Sequence, residues 1–181
     1  LDVRAFGQVF PFSGETGKSD GVSIGIRGPV SIQSAFSLTP VNITELNITK
    51  SVNLETDKNN PDKKGSDTMG SKRRVDFGVY TTYGSINVQT AEKTGFSADD
   101  AEALKEALRT LFRNDVAAAR PEGSMEVCKL VWWEHNCKSG QFSAAKVHRS
   151  MKVTVGDDGF PQVGIDESAI PGLKYTVIDG E

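Results

Sequence analysis

Residues 66–80 read SDTMGSKRRVDFGVY, and they join a polar segment to a patterned one. From residue 75 onward every second side chain is apolar, which is the period of a half-buried β-strand. Three consecutive cations occupy positions 72–74, directly before that pattern. Most short charge runs only keep a surface hydrated, but cations at the junction of a polar segment and a strand can also bind a polyanion. The stretch therefore predicts a strand beside a candidate anion-binding surface.

The segments on either side of this stretch predict a β-hairpin. Residues 41–52 are rich in β-branched side chains, which favour strands, and a one-residue slip in their apolar positions indicates a β-bulge. Residues 53–71 are polar without an apolar period, and residues 74–83 return to a strand pattern. Because long polar segments between strands are typically functional or disordered loops, we expect a hairpin with a mobile tip.

One helix is clear in the sequence. Ser97 is a good N-cap residue, and apolar side chains recur at helical spacing over residues 98–113, so we expect a helix that covers the core and carries no chemistry. Residues 125–133 and 147–155 have the composition of buried strands, whereas the acidic tail, residues 156–181, is expected to be irregular. Strands that outnumber helices predict an α+β fold, a sheet with helices packed on one face.

The composition favours one domain spanning residues 1–181. Apolar residues make up 37% of the chain and charged residues 25%, as in an ordinary soluble protein. No apolar run has the length of a membrane span, no signal peptide is visible, and two cysteines do not make a disulfide framework, so we expect a cytoplasmic protein without membrane contact. The net charge of −3 argues weakly against a nucleic-acid binder, but residues 156–181 alone carry −5 and the rest carries +2. A basic surface elsewhere is therefore allowed.

Residues 13–19, SGETGKS, are similar to a phosphate-binding loop but do not complete its pattern. The pattern GxxxxGK[ST] requires glycine five places before Gly17, where this chain has Phe12. The loop should also lead into a helix whose N-terminus holds phosphate, and here it leads into a β-like segment. A hairpin tip is the better interpretation, and no nucleotide cofactor is expected.

The cysteines and histidines do not predict a metal site. Structural zinc sites bring their ligands in close pairs such as CxxC and HxxxH, and the spacings of these four residues fit neither. A Cys/His nucleophile pair would need a third residue that orients the base, and no pattern suggests one. We expect core or surface roles for Cys128, His135, Cys137 and His148.

Two further places leave alternatives open. Trp132 and Trp133 are neighbours on a predicted strand, so one should enter the core while the other faces outward or lies under a second layer. An outward tryptophan could stack on nucleic-acid bases, or both could pack. Arg120 and Ser124 lie in the turn ARPEGSM, where their donors could meet a phosphate or simply be hydrated.

Several stretches together resemble a known family. In chain order they are DVRAFGQVF (2–10), IRGPVSIQSAFSL (26–38), ITKSVN (48–53), DTMGSKRRVDFGVY (67–80), ARPEGSMEV (119–127), WWEH (132–135) and SAAKVHRSMKV (143–153). This set is similar to the backbone subunit of a CRISPR Cascade complex, the crRNA-binding protein of the type I-C (Dvulg-type) system. The resemblance runs from residue 2 to about residue 154.

The resemblance implies a fold. Members have a modified RNA-recognition-motif core (ferredoxin-like), the palm, with an inserted β-hairpin, the thumb, which falls here at about residues 50–74. Family members carry a further N-terminal region with the first strand of the palm, so this chain is expected to lack that part. The acidic tail, at about residues 156–181, matches nothing in the family pattern.

The resemblance also implies a function. Copies would stack head to tail in a helical oligomer along the crRNA and display it for pairing with target DNA, together with other Cascade subunits. Because one subunit must hold any guide sequence, binding would be mostly to the RNA backbone. No catalysis, cofactor or metal is expected. Two alternatives are a guide-RNA-processing endonuclease with His135 or His148 as its base, and a generic β-rich interaction domain.

Individual RNA-binding candidates follow from the matched stretches. Cations and small donors suit phosphates, and an unbranched Met can part stacked bases. Lys50, Ser51 and Asn53 enter the expected thumb. Met69, Lys72, Arg73 and Arg74 leave it, and Arg27 and Gln33 are expected to line the same groove. The full candidate set is Arg27, Gln33, Lys50, Ser51, Asn53, Met69, Lys72, Arg73, Arg74, Arg120 and Ser124.

Overall fold

The computed structural model describes residues 1–11, 23–49, 56–57, 60–64 and 69–181. These residues form helices and strands in the order α1 (Asp2–Phe6), β1 (Gly7–Pro11), β2 (Ser23–Arg27), β3 (Val30–Ile32), β4 (Phe36–Ser37), β5 (Ile43–Thr49), β6 (Thr56–Asp57), β7 (Asn60–Lys64), β8 (Met69–Val75), β9 (Tyr80–Thr81), β10 (Gly84–Ile86), α2 (Val88–Thr94), α3 (Ala98–Arg109), β11 (Lys129–Glu134), α4 (Ala144–Ser150), β12 (Met151–Val155), β13 (Pro161–Ile165) and β14 (Lys174–Asp179). The protein is an α+β protein, which confirms the predicted class.

The chain divides into two compact units, the second inserted within the first. The first unit contains Leu1–Phe36 and Thr82–Glu181, and the second contains Ser37–Thr81. The second unit is wider than the expected insertion at residues 50–74 and begins and ends outside it.

Four antiparallel strand pairs build the first unit. Strand β1 pairs with β2, β3 with β10, β11 with β14, and β12 with β13. One buried hydrophobic cluster consists of Val147, Ile170 and Leu173, against which Trp133, Phe142 and Ile165 pack.

The two neighbouring tryptophans of β11 point to different layers, as strand alternation predicts. Trp133 packs against the core around Ile170. Trp132 lies beneath α3, where the Lys105 ammonium is 4.9 Å from the centre of its ring. Both rings therefore pack within the first unit, which favours the packing alternative over base stacking.

Helix α3 confirms the predicted N-cap at Ser97. Its hydroxyl accepts from the Asp100 backbone N–H at 3.2 Å, and the Asp100 carboxylate accepts from the Ser97 N–H at 3.1 Å, a reciprocal capping box. The helix ends at Arg109 rather than at residue 113. The Thr110 hydroxyl donates to the Glu106 carbonyl at 2.9 Å, which satisfies one of the carbonyls left open at the helix end.

The acidic tail is not irregular. Its residues form β13 and β14, and β14 pairs with β11 over six residues. Pro161 is the first residue of β13, a position that tolerates proline, and Gly172 has a positive φ in the turn before β14. Pro161 and Gly172 therefore lie at or near strand ends, although the abundance of proline and glycine suggested a segment without regular structure.

Strands β5 and β8, hereafter the ribbon, dominate the second unit. They pair antiparallel over seven residue pairs, from Ile43 opposite Val75 to Thr49 opposite Met69. The expected hairpin is therefore present, but its register is continuous and the expected bulge is absent from these residues. Between them β6 pairs with β7, so the segment predicted to be a loop contains strands; the rest of it lies outside the described residues.

The second strand of the hairpin is displaced from its predicted bounds. Strand β8 covers the polar cationic residues and ends at Val75, whereas the apolar alternation that follows forms a bend at Asp76 and Phe77. Phe77 is 64% exposed, so this alternation does not reflect a half-buried strand. None of the helices in the described part of the chain has the length and apolar character needed to cross a membrane.

Candidate nucleic-acid interface

Directly opposed residues of an antiparallel pair share a face, so the register divides the ribbon into two surfaces. The first, hereafter the Lys72 face, consists of Thr44, Leu46, Ile48, Gly70, Lys72 and Arg74. The second, hereafter the Arg73 face, consists of Ile43, Glu45, Asn47, Thr49, Met69, Ser71, Arg73 and Val75. The three cations of the opening stretch are therefore separated, with two on one surface and one on the other.

The Lys72 face combines cations with exposed apolar side chains. Leu46 is 42% exposed and Ile48 is 51% exposed. No described atom lies within 4 Å of the position that a Cβ would occupy at Gly70. Neither strand contributes a carboxylate to this face. The surface is thus open, cationic and partly apolar, which suits the phosphates and sugars of a nucleic acid.

The Arg73 face pairs its cation with an acid. Arg73 lies directly across from Glu45, and its Nε is 3.4 Å from the Glu45 carboxylate. Both side chains are at least half exposed, so this ion pair adds little stability. Its electrostatic effect is larger, because Glu45 offsets the charge of Arg73 on that side of the ribbon. Met69 begins the strand on the same face and is 72% exposed, as a base-parting wedge would need to be.

Asp76 ties the base of the ribbon together. Its Oδ2 accepts from the Asn42 amide at 2.6 Å and from the Thr44 hydroxyl at 2.7 Å, and its Oδ1 accepts from Arg74 Nε at 3.3 Å. The hydrogen bond from Thr44 is the main reason why the pKa of Asp76 lies below its usual value, with Asn42 and Arg74 adding to it. The backbone N–H of Asp76 also donates to the Asn42 carbonyl at 3.2 Å.

Arg27 and Gln33 lie in the first unit, at the ends of short strands. Arg27 is the exposed last residue of β2. A Cβ on the next residue, Gly28, would collide with the backbone of Ala5, so glycine lets α1 approach the chain here. Gln33 is held through its backbone, whose N–H donates to the Tyr83 carbonyl and whose carbonyl accepts from the Thr82 hydroxyl. Both side chains are exposed.

The predicted turn at Arg120 is present, but its cation is paired. Arg120 donates through Nε and Nη2 to the two carboxylate oxygens of Asp115, at 2.8 and 3.2 Å, and this interaction raises the pKa of Arg120. Ser124 is exposed, and its backbone N–H donates to the Pro121 carbonyl at 3.0 Å. A phosphate at Arg120 would have to compete with the Asp115 carboxylate.

The remaining candidates fall into two groups. Lys50, Ser51 and Asn53 lie outside the described residues. The rest divide between the units: Arg27, Gln33, Arg120 and Ser124 in the first, and Met69, Lys72, Arg73 and Arg74 on β8 in the second.

The sequence analysis did not identify three residues at the base of the ribbon, which are Asn42, Thr44 and Asp76. Their contacts join positions more than 30 residues apart, and only the register of the ribbon could have revealed them.

The two histidines named for an enzymatic alternative have structural contacts. His135 Nδ1 accepts from the Gln141 backbone N–H at 2.9 Å. His148 stacks on Tyr83 with ring centres 4.5 Å apart, and burial lowers its pKa. Across the described ranges, no three His, Cys, Asp or Glu side chains are grouped in a way that could hold a metal ion. Cys128 and Cys137 are free thiols.

Comparison with known proteins identifies the family. The family described as CRISPR-associated protein Cas7 matches residues 1–168. No curated protein matches the chain significantly. The match covers the whole second unit and most of the first, and it agrees with the resemblance read from the sequence at the level of the family. The chain belongs to the Cas7 family of CRISPR-associated proteins, and it is therefore a crRNA-binding backbone subunit of a Cascade-type complex.

Proposed function

We propose that this chain is the backbone subunit of a type I-C Cascade complex, that its copies polymerise along the guide RNA, and that they display the guide for pairing with target DNA. The observation that carries the proposal is the Lys72 face, an exposed strand surface with two cations at alternate positions. The subtype rests on the motif resemblance given above.

The chemistry of the Lys72 face fits a sequence-independent grip. Lys72 and Arg74 are two residues apart on one strand, which separates their Cα atoms by roughly 6.6 Å and lets them address neighbouring phosphates. An arginine can hold a phosphate through two parallel hydrogen bonds, and a lysine acts as a point charge. Contacts to phosphate carry no sequence information, which is what a subunit that must hold any guide requires.

The apolar members of the same face support a second kind of contact. Leu46 lies directly across from Lys72, and both Leu46 and Ile48 are substantially exposed. Apolar side chains beside cations can pack on sugars or on base faces without reading base identity. Met69 lies on the Arg73 face, at the far end of the ribbon, and is proposed to part stacked bases there.

We propose no catalytic step for the protein. The endonuclease alternative would use His135 or His148 as a base, but one imidazole accepts a backbone hydrogen bond and the other is stacked on Tyr83. The test is to incubate the purified protein with repeat-containing RNA and with unrelated RNA of equal length. Similar binding to both without cleavage supports the backbone role. Cleavage at a defined position in the repeat, lost in a histidine variant, supports the enzyme.

A further inference from the structure

Asp76 presents an apparent conflict at the proposed RNA-binding face. It is a carboxylate next to Arg74, and a negative charge beside a phosphate site should weaken RNA binding. Its side chain is only 33% exposed, and three side chains donate hydrogen bonds to it. A carboxylate that receives several hydrogen bonds is held in one orientation.

The contacts connect Asp76 to Arg74 by two routes. Thr44 lies directly across the ribbon from Arg74, and its hydroxyl fixes Oδ2 of Asp76. The other carboxylate oxygen, Oδ1, accepts from Arg74 Nε. A guanidinium has five N–H donors, so the contact through Nε leaves donors on the same group that a phosphate can engage. Thr44 therefore orients Asp76, and Asp76 in turn holds Nε of the Arg74 guanidinium.

We propose that Asp76 is a positioning residue, which orients the Arg74 guanidinium for RNA phosphate and fixes the end of the ribbon that carries it. This inference rests on the proposed function, since it assumes that Arg74 contacts the guide. Its benefit to RNA binding must exceed the electrostatic cost of a carboxylate near phosphate. Removing the charge should therefore weaken RNA binding, whereas a purely electrostatic view predicts that binding becomes stronger.

Glu45 provides a matched control. It also lies in the second unit and contacts an arginine of β8 at a similar distance, 3.4 Å from Arg73 Nε, but on the opposite face of the ribbon. Glu45→Gln and Asp76→Asn each remove one negative charge with little change in shape. The two variants thus share the electrostatic effect and differ in whether the Lys72 face loses its positioning contact.

The experiment measures the affinity of the full chain for a single-stranded RNA at about 0.1 M salt, with melting curves for every variant. We expect Glu45→Gln to bind as tightly as the parent or tighter. We expect Asp76→Asn to lose up to about fivefold, the worth of one single-strand phosphate contact with a salt slope of about 0.7. If the Asp76→Asn variant binds RNA more tightly than the parent, as the Glu45→Gln variant does, the proposal is overturned.

Two further variants separate this inference from a general structural effect. In an Arg74→Ala background, Asp76→Asn should cause no additional loss, because its effect passes through Arg74; an equal loss there overturns the proposal. Thr44→Val removes one donor to Asp76 without changing the charge and keeps a residue that favours strands. We expect Thr44→Val to weaken RNA binding, as Asp76→Asn should. This variant keeps the test available even if Asp76→Asn fails to fold. An unchanged RNA affinity of Thr44→Val contradicts the inference.

The outcome for Arg74→Ala alone distinguishes the two levels of the proposal. If Arg74→Ala binds RNA with unchanged affinity and salt slope, the phosphate grip itself is refuted, and the role of Asp76 falls with it. If Arg74→Ala weakens binding while Asp76→Asn strengthens it, the grip stands and only the positioning role is refuted.

Discussion

Lys72 lies directly across the ribbon from Leu46, whereas its neighbour Arg73 lies across from the carboxylate of Glu45. The two adjacent cations of one strand therefore differ in the residue directly across the ribbon. A phosphate at Arg73 must compete with the Glu45 carboxylate, whereas Leu46 occupies the equivalent place beside Lys72. We therefore expect the loss of Arg73 to change RNA binding less than the loss of the two cations on the other face.

The first prediction concerns the salt dependence of RNA affinity. Each phosphate contact that is lost should lower the slope of log K against log salt by about 0.7 for a single strand. We expect Lys72→Ala with Arg74→Ala to lower the slope by about 1.4 and to weaken all guide sequences alike. Arg73→Ala is the control on the opposite face, and it should change the slope less. An unchanged slope in the double variant would refute the phosphate contacts and would leave these cations with a role only in surface hydration.

The second prediction concerns assembly. Head-to-tail contacts are heterologous and do not close, so bound copies should form open stacks whose size follows the length of the RNA. We expect the mass of the complex, measured by light scattering, to rise in steps as the guide is lengthened. The Lys72/Arg74 double variant should lose this dependence at moderate salt. A symmetric dimer whose mass does not respond to RNA length would contradict the backbone role.

The third prediction concerns the close approach that precedes β3. A Cβ at Gly28 would overlap the Ala5 carbonyl, so Gly28→Ala must displace backbone, and overpacking of this kind costs about 1–3 kcal/mol of the free energy of unfolding. Gly25→Ala, three residues earlier and within β2, is the matched control. No described atom lies within 4 Å of its Cβ position, and the substitution should lower the free energy of unfolding by about 0.5 kcal/mol or less. Denaturant unfolding of both variants measures the difference, and equal costs would show that the approach is not tight.

The fourth prediction concerns helix capping. The Ser97 hydroxyl accepts a backbone hydrogen bond in the capping box of α3, so Ser97→Ala should lower the free energy of unfolding by about 1 kcal/mol. Ser143 occupies the same position before α4 but makes no side-chain cap hydrogen bond. Ser143→Ala should therefore change stability little. Urea unfolding of the two variants provides the comparison, and a larger loss at Ser143 would contradict it.

The fifth prediction concerns acid stability. Arg4 donates to both carboxylate oxygens of Asp100, at 2.9 and 2.6 Å, and these hydrogen bonds, with that from the Ser97 backbone, hold the pKa of Asp100 far below its usual value. A lowered folded-state pKa contributes stability that is complete above the unfolded-state pKa of about 4 and is lost as the pH falls below it.

Melting temperatures measured from pH 7 to pH 2 test this contribution. The parent should lose stability progressively below pH 4, and Arg4→Ala should show a smaller loss over that range because its Asp100 is less strongly held. Asp99→Asn removes a charge from the same helical turn and serves as the control for nonspecific charge effects. If the melting temperatures of the parent and of Arg4→Ala fall equally between pH 4 and pH 2, the ion pair does not have the assigned role.

Local patterns predicted the parts of the fold that local chemistry determines. Ser97 and the acidic first turn of α3 are sufficient to place the start of that helix, because capping is a contact between neighbours in sequence. The alternation of apolar residues from Val75 onward predicted a strand in the wrong place. Such alternation indicates a strand that is buried on one side. The observed strand, Met69–Val75, is exposed at every residue and therefore has no apolar alternation that could reveal it.

Long-range features were out of reach of the same patterns. Leu46 and Ile48 lie on one face of the ribbon and Ile43 on the other, so the slip that suggested a bulge reflects apolar side chains on both exposed faces. The contacts of Asp76 depend on the pairing of two strands separated by polar sequence. No spacing within either segment reveals them.

The continuous register of the ribbon imposes a parity rule on how its sequence can vary. Because side chains alternate between faces, a shift of one residue in β8 would exchange the surfaces of Lys72 and Arg73, whereas a shift of two would keep each cation on its own side. Insertions between Thr49 and Met69 leave this parity intact. With the pairing of Thr49 and Met69 kept, a single-residue deletion between Met69 and Lys72 would move Glu45 opposite a different cation and invert the charge pattern of both faces without removing any charged residue.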